Sequence, residues 1–270
     1  MDRRINIPEI LDIIFSHICP ADDYFVGKGV KDLAALARTC KTFHNPALDA
    51  LWKDQYSLFP ALRCLPDDIW DRSVFKRALV PADWEHAMTY WARIRTFQIF
   101  SFSPSEISPD ACEMLRLCCP GEYLFPNLRE IHWLEEESTV FPVIGIFLAL
   151  RLSTIRLRLF PGTSLTQLSF LSSLGVKYPN LTDVDLRGRG GVSFPPQLMR
   201  SVSALLCPLK NLQSFSVNSL DAAVFQHLVR LPQLQDLLVD ELVDFDPFSG
   251  ASYEDQAEPS FPALESLTLW

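Results

Sequence analysis

One apolar template recurs so often along this chain that it leaves few folds open. The pattern L-x-x-L-x-L, with any apolar residue at the three fixed positions, occurs seven times. The copies are Ile94-Phe97-Ile99, Leu128-Ile131-Trp133, Leu152-Ile155-Leu157, Leu181-Val184-Leu186, Leu212-Phe215-Val217, Leu234-Leu237-Val239 and Leu264-Leu267-Leu269. Successive copies start 34, 24, 29, 31, 22 and 30 residues apart. A period in this range marks units that cannot bury an apolar face alone, so neighbours must stack. Within each copy the apolar residues at positions four and six alternate as in a strand. Positions three, five and seven then face the other way. The interior set is expected to include Ile131, Leu157, Val184, Leu186, Leu237 and Leu267.

Helical patterns fill the gaps. Ser108-Pro109 opens one with Met114, Leu115 and Cys118; Ser164 caps another with Leu165, Leu168, Leu171 and Leu174, and Gly175 is placed to end it. Pro195-Pro196 precedes Leu198, Val202, Leu205 and Leu206, and Asp221 precedes Val224, Phe225 and Leu228. Strand and helix in alternation predict an α/β fold. Several copies share a lead-in: Phe125-Pro126-Asn127, Tyr178-Pro179-Asn180, Leu209-Lys210-Asn211, Leu231-Pro232-Gln233 and Phe261-Pro262-Ala263. The region from 94 to 270 resembles leucine-rich repeats, which implies a curved solenoid with the parallel sheet on its concave face. In such repeats Asn or Cys often stands three residues after the last apolar position; here the slot holds Phe102, Glu136, Phe160, Arg189, Leu220 and Leu242. Apolar filling is expected to replace the usual polar ladder.

The first fifty residues carry a different pattern. Pro8 suits a first helical position and Glu9 complements the helix dipole. Ile10, Leu11, Ile14, Phe15 and Ile18 follow at helical spacing. Leu33, Leu36, Ala37 and Cys40 form a second stripe. A third helix is expected to open at Asn45-Pro46 and to carry Leu48, Leu51 and Trp52. Between the first two, Cys19 to Lys31 reads as a solvated loop.

This ordered set, residues 5–53, resembles the F-box, the three-helix module that joins a protein to the Skp adaptor of cullin-based ubiquitin ligases. The resemblance implies that Pro8, Ile10, Leu11, Ile14, Leu36, Cys40 and Trp52 contact Skp. It extends to fungal F-box proteins, whose repeats share the Phe-Pro-Asn-Leu style of lead-in. The implied function is a substrate-recognition adaptor: the F-box holds Skp and, through it, a cullin, while the repeats select a protein target. A scaffold using the same surfaces without directing ubiquitin transfer is the alternative. Residues 54–93, punctuated by Pro60, Pro66 and Pro81 and rich in Trp, read as a packed helical connector.

Composition limits the rest. The chain of 270 residues is 48% hydrophobic with a net charge of −9, which argues against nucleic acid as the main partner. The most apolar run, Val140 to Leu150, is too short to span a bilayer. No signal sequence precedes Pro8, so an intracellular location, cytoplasmic and/or nuclear, is expected. Seven cysteines form no C-x-x-C pair and the five histidines are scattered, so neither a metal nor a cofactor is expected. The thiols read as reduced and mostly buried. Cys64, Cys118, Cys119 and Cys207 with His132 or His227 show no spacing suited to nucleophilic catalysis. Gly188-Arg189-Gly190-Gly191 reads as a turn. No enzymatic activity is expected. Asp244 to Ser260, acidic and Ser-rich, reads as disordered. The final strand ends at Trp270 without a returning helix, which suggests a truncated repeat or a covered end.

The target face is the set of outward positions, which starts apolar, turns basic and ends acidic. Phe100, His132, Arg156, Arg158 and Arg187 are the candidate target-binding residues. Two readings of the arginines stand: a basic island that grips an acidic or phosphorylated segment, or charges paired with Asp183 and Asp185 on the next strand.

Overall fold

The computed structural model describes residues 8–18, 28–71, 74–99, 107–134, 141–160, 162–188, 193–243 and 261–269. The chain divides into two compact units, Met1–Arg129 with Gly145–Ala149, and Glu130–Ile144 with Leu150–Trp270. It is a mixed α/β protein in which parallel strand pairing dominates.

The first unit opens with three helices, α1 (Pro8–Ser16), α2 (Lys28–Leu36) and α3 (Lys41–Lys53). Both α1 and α2 pack on α3. Leu11, Phe15, Leu33, Ala37 and Ala47 are buried between them, with Ile18, Leu36, Phe43, Leu48 and Leu51 packed around. Two boundaries differ from expectation. The segment Cys19 to Lys31 is not one long loop, since α2 already begins at Lys28; Cys19–Gly27 lie outside the described residues. And α3 does not start at Asn45-Pro46 but at Lys41, with Pro46 inside the helix. Pro46 lacks the N–H that would serve the Thr42 carbonyl. The earlier turn is held from outside, by Phe43 edge-on to Phe15 at 5.6 Å.

The connector is not purely helical. It holds β1 (Asp54–Gln55), α4 (Phe59–Leu62), a 3₁₀ turn (Asp67–Ile69), the antiparallel pair β2 (Trp70–Asp71) and β3 (Val74–Phe75), and α5 (Pro81–Trp91). β4 (Thr96–Ile99) and α6 (Pro109–Cys118) follow. β1 pairs parallel with β4, Asp54 opposite Thr96. Two residues are too short a run to show period-two patterning, which is why β1 was not legible. Aromatic packing ties this segment together. Trp84 and Trp91 meet edge-on at 5.8 Å, and the Trp91 indole donates to the Ala61 carbonyl at 3.0 Å. Phe125 of the repeat lead-in sits 5.1 Å from Phe97, and the Asn127 amide donates to the Ala92 carbonyl at 2.9 Å.

A second fastening of the connector is ionic. Arg77 donates to both oxygens of Asp83, at 2.8 and 2.9 Å, and to both of Asp68, at 2.9 and 3.3 Å. Asp83 is 95% buried and also accepts from the Val80 N–H at 2.8 Å at the start of α5. The Arg77 hydrogen bonds, with that backbone N–H, hold the Asp83 carboxyl down from its ordinary 3.8 to about 2. A depressed folded-state pKa gives stability that is full above 3.8 and falls away as pH drops toward about 2. In Arg77→Gln the thermal midpoint should be lower at neutral pH and should fall less steeply across that window than the parent's, the Val80 N–H still holding part of the shift. A variant that keeps the parent's midpoint and its acid dependence would show that Arg77 is not the cause.

The second unit is a parallel sheet crossed by helices. Its elements are β5 (Glu130–Trp133), β6 (Thr154–Leu157), α7 (Leu165–Lys177), β7 (Asp183–Asp185), α8 (Pro196–Leu206), β8 (Ser214–Asp221), α9 (Ala222–Val229), β9 (Asp236–Val243) and β10 (Ser266–Leu269). The six strands pair in sequence order, each parallel to the next. The register aligns the fourth template position of the six copies in this unit: Ile131, Ile155, Val184, Phe215, Leu237 and Leu267. The repeat in the sequence is therefore a repeat in space.

The helix starts follow the expected chemistry. Ser164 caps α7 in a reciprocal box with Gln167, and Asp221 accepts from the Val224 N–H at 2.8 Å to open α9. In the first unit Ser108 likewise caps α6. Gly175 does not end α7, which runs on to Lys177. It is buried there because α8 crosses directly over it, at the Leu205 carbonyl.

Ile131, Leu157, Val184, Leu186 and Leu237 are all at most 2% exposed. Leu267 is not: it is 46% exposed, as is Leu269. β10 has a described strand on one side only, and its leucines are less covered than those of the inner strands.

Candidate protein-interaction faces

α1 has more apolar residues than its unit's core uses. Leu11 and Phe15 point inward and are 2% and 3% exposed. Ile10, Ile13 and Ile14 lie on the opposite side at spacing i, i+3, i+4, and are 39%, 62% and 44% exposed. They form an uncovered aliphatic ridge on a nine-residue helix.

The expected Skp-contact residues separate accordingly. Ile10 and Ile14 are on the ridge. Leu11 is a core residue, because its neighbours Leu33 and Ala47 need it to close the bundle. Leu36 is half-buried against the same cluster. Cys40 is exposed at the start of α3, beside a shallow depression lined by Arg38, Lys41 and His44. Trp52 is half-buried with its ring 5.1 Å from Tyr90, so part of it serves the connector. Pro8 begins α1, and its side chain lies outside the described residues. The reading from sequence missed Ile13, the most exposed of the three isoleucines. Its spacing from Ile10 was the available signal.

The strand face of the second unit carries the polar rows. Glu130, Thr154, Asp183, Ser214, Asp236 and Ser266 align in one row, and His132, Arg156, Asp185, Ser216, Leu238 and Thr268 in the next. The arginines already have carboxylate and carbonyl partners. Arg156 stands 3.8 Å from Asp183 on the adjacent strand, and Arg187 is bidentate to Asp185, two residues back in its own chain segment, at 2.9 and 3.1 Å. Arg158 reaches the Leu134 carbonyl at 3.3 Å. Phe100 lies outside the described residues.

His132 is less available than its outward position implies. Only 9% of it is exposed, with Nε2 3.9 Å from a Glu130 oxygen. Burial first, and then the Arg156 charge, push its pKa down to about 4, so the ring is neutral near pH 7. Asn218 also departs from expectation. Expected on the solvent face, it is 2% exposed. Its Oδ1 accepts from the Gly188 N–H at 2.5 Å and its Nδ2 donates to Asp240 at 2.7 Å. A polar link between turns thus exists, at the seventh template position and not in the slot where repeats usually place it. Leu220, in that slot, is apolar filling at 2% exposure.

The thiols are also more accessible than expected. Cys118 and Cys207 are exposed, because one ends α6 and the other follows α8, beyond the buried stripes. Cys112 is the one buried thiol among the described residues, and burial pushes it up to about 12; Cys64 is raised in the same way to about 11. Among the described residues no group of three His, Cys, Asp or Glu is gathered to hold a metal ion. None of their helices is long and apolar enough to cross a membrane. No protein-family model matches the chain, and no curated protein matches it.

Proposed function

We propose that the protein is the substrate-recognition adaptor of a Skp- and cullin-containing ubiquitin ligase, with the three N-terminal helices as an F-box and the second unit as the target receptor. The observation that carries this is the Ile10-Ile13-Ile14 ridge, aliphatic surface left over after the helical core is complete. Exposed contiguous apolar side chains on a small module are costly in water and mark a partner. On this reading Ile10, Ile13 and Ile14 are the Skp anchors and Leu11 supports them from inside.

The parallel sheet of the second unit is read as the concave face of a leucine-rich-repeat solenoid. Its arginines support a mixed-charge target surface better than a basic island, since an anionic ligand must first displace Asp183 and Asp185. The role is one of binding and not of catalysis. The raised thiols of Cys64 and Cys112 are poor nucleophiles, in keeping with that.

The test is co-purification of Skp and a cullin with the full chain and with Ile10→Ala, Ile13→Ala, Ile14→Ala combined. All three are solvent-facing on a helix, where Ala is well tolerated, so the variant should fold. The expected loss of Skp affinity is about 2–4 kcal/mol, or roughly 30- to 1,000-fold. A folded triple variant that retains Skp at full strength would sink the assignment. Capture of Skp without a cullin or ubiquitin transfer would favour the scaffold reading.

A further inference from the structure

We infer a second binding site, a peptide cleft in the connector that takes a short extended segment carrying an acidic residue beside an apolar one. The cleft lies between α4 and the 3₁₀ turn, has a volume of about 370 Å³ and is lined by Phe59, Arg63, Pro66, Asp67 and Trp70, with Leu62 and Leu65. No residue of α1 or of the repeat strands lines it, so the assignment is independent of the adaptor reading.

Three features define the occupant. The Arg63 guanidinium lies 4.8 Å above the Phe59 ring, and that side chain has no hydrogen-bond or ion-pair partner among the described residues. A guanidinium resting on an exposed aromatic face at the edge of an apolar cleft is open to a carboxylate. The Trp70 indole N–H is buried and has no acceptor among the described residues. An orphaned buried donor is costly, and a small shift of the ring on binding would offer it a carbonyl. The walls of Phe59, Leu62, Leu65 and Pro66 suit one or two aliphatic side chains.

A peptide meets all three needs. It brings a main-chain carbonyl for the indole, a side-chain carboxylate for Arg63 and main-chain N–H groups that Asp67 accepts. A free small acid fits less well, because buried ligands are normally enclosed over most of their surface and this cleft is open along one side. An extended segment continues past such an opening at no loss.

The experiment is selection of random ten-residue peptides, internal to a displayed fusion, on the full chain and on Arg63→Gln and Trp70→Phe. Wild type should enrich segments with Asp or Glu next to Leu, Ile, Val or Pro. One enriched peptide is then measured by fluorescence anisotropy. Arg63→Gln should weaken it about 10- to 100-fold, the size of a lost charge-assisted hydrogen bond. Replacing the peptide's acidic residue by its amide should cost wild type as much and Arg63→Gln almost nothing. Trp70→Phe keeps an aromatic ring against Phe75, 4.7 Å away, and removes only the N–H and part of the ring, so it should weaken the peptide while the variant stays folded at the assay temperature; undiminished binding by a folded Trp70→Phe would remove the indole from the site. Absence of enrichment, enrichment without acidic residues, or equal binding by Arg63→Gln would each overturn the proposal.

Discussion

Leu186→Ala should lower the stability of the second unit by about 2–5 kcal/mol, the usual cost of a large cavity where leucine is fully enclosed. Leu186 is 0% exposed, and its N–H donates to the Ser216 carbonyl at 2.8 Å, which fixes the backbone on which the side chain stands. The backbone is therefore poorly placed to collapse into the space left behind. Its neighbours in the layer, Leu157 and Val217, are equally enclosed. Because the chain has two compact units, the value is best read from hydrogen exchange of β7 and β8 amides and not from a single global transition. A loss below about half a kilocalorie per mole would mean that the repeat register is wrong at this copy. Leu267→Ala is the internal contrast. With that residue 46% exposed, the same truncation should cost far less.

Gly175→Ala should also be severe, with a sign opposite to the ordinary one. In an exposed helix this change gains up to about 1 kcal/mol, since glycine is the more flexible residue. Here a Cβ on Gly175 would lie 2.0 Å from the Leu205 carbonyl oxygen and 3.0 Å from its carbon. Carbon and oxygen are not tolerated so close, and the obstacle is backbone, which cannot rotate away. α7 and α8 must separate, loosening the stripe of Leu171, Leu174, Leu198, Val202 and Leu205 that is buried in this layer. The expected loss is about 3 kcal/mol or more. Gly145→Ala and Gly162→Ala, where an added Cβ meets nothing within 4 Å, should be close to neutral. If Gly175→Ala were as mild as these controls, the close approach of the two helices would be refuted.

Both predictions rest on features of unequal visibility. The strand interior was legible because the template is long, regular and seven times repeated; Val184, Leu186 and Leu237 are buried as their positions require. The helix starts at Ser108, Ser164 and Asp221 were legible because a capping side chain acts within three residues of itself. Gly175 was misread as a helix end. A glycine in a helical pattern has two physical uses, a left-handed stop or a close crossing, and the choice depends on Leu205, thirty residues away.

The same division runs through the candidate sites. A helical stripe shows that α1 is amphipathic, but Ile10, Leu11, Ile13 and Ile14 are chemically alike. Only packing against Leu33 and Ala47 assigns Leu11 to the core and leaves the three isoleucines uncovered. Alternation places His132 and Asn218 on the outward face, yet both are buried, and Asn218 becomes a bridge between turns through Gly188 and Asp240. Local periodicity and capping are properties of a dozen consecutive residues, so the amino-acid sequence by itself determined the strand interior, the helix starts and the α/β class. Close helix crossings, the partners of each arginine and the side of α1 left bare depend on residues far apart in the chain, and only the tertiary structure decided them.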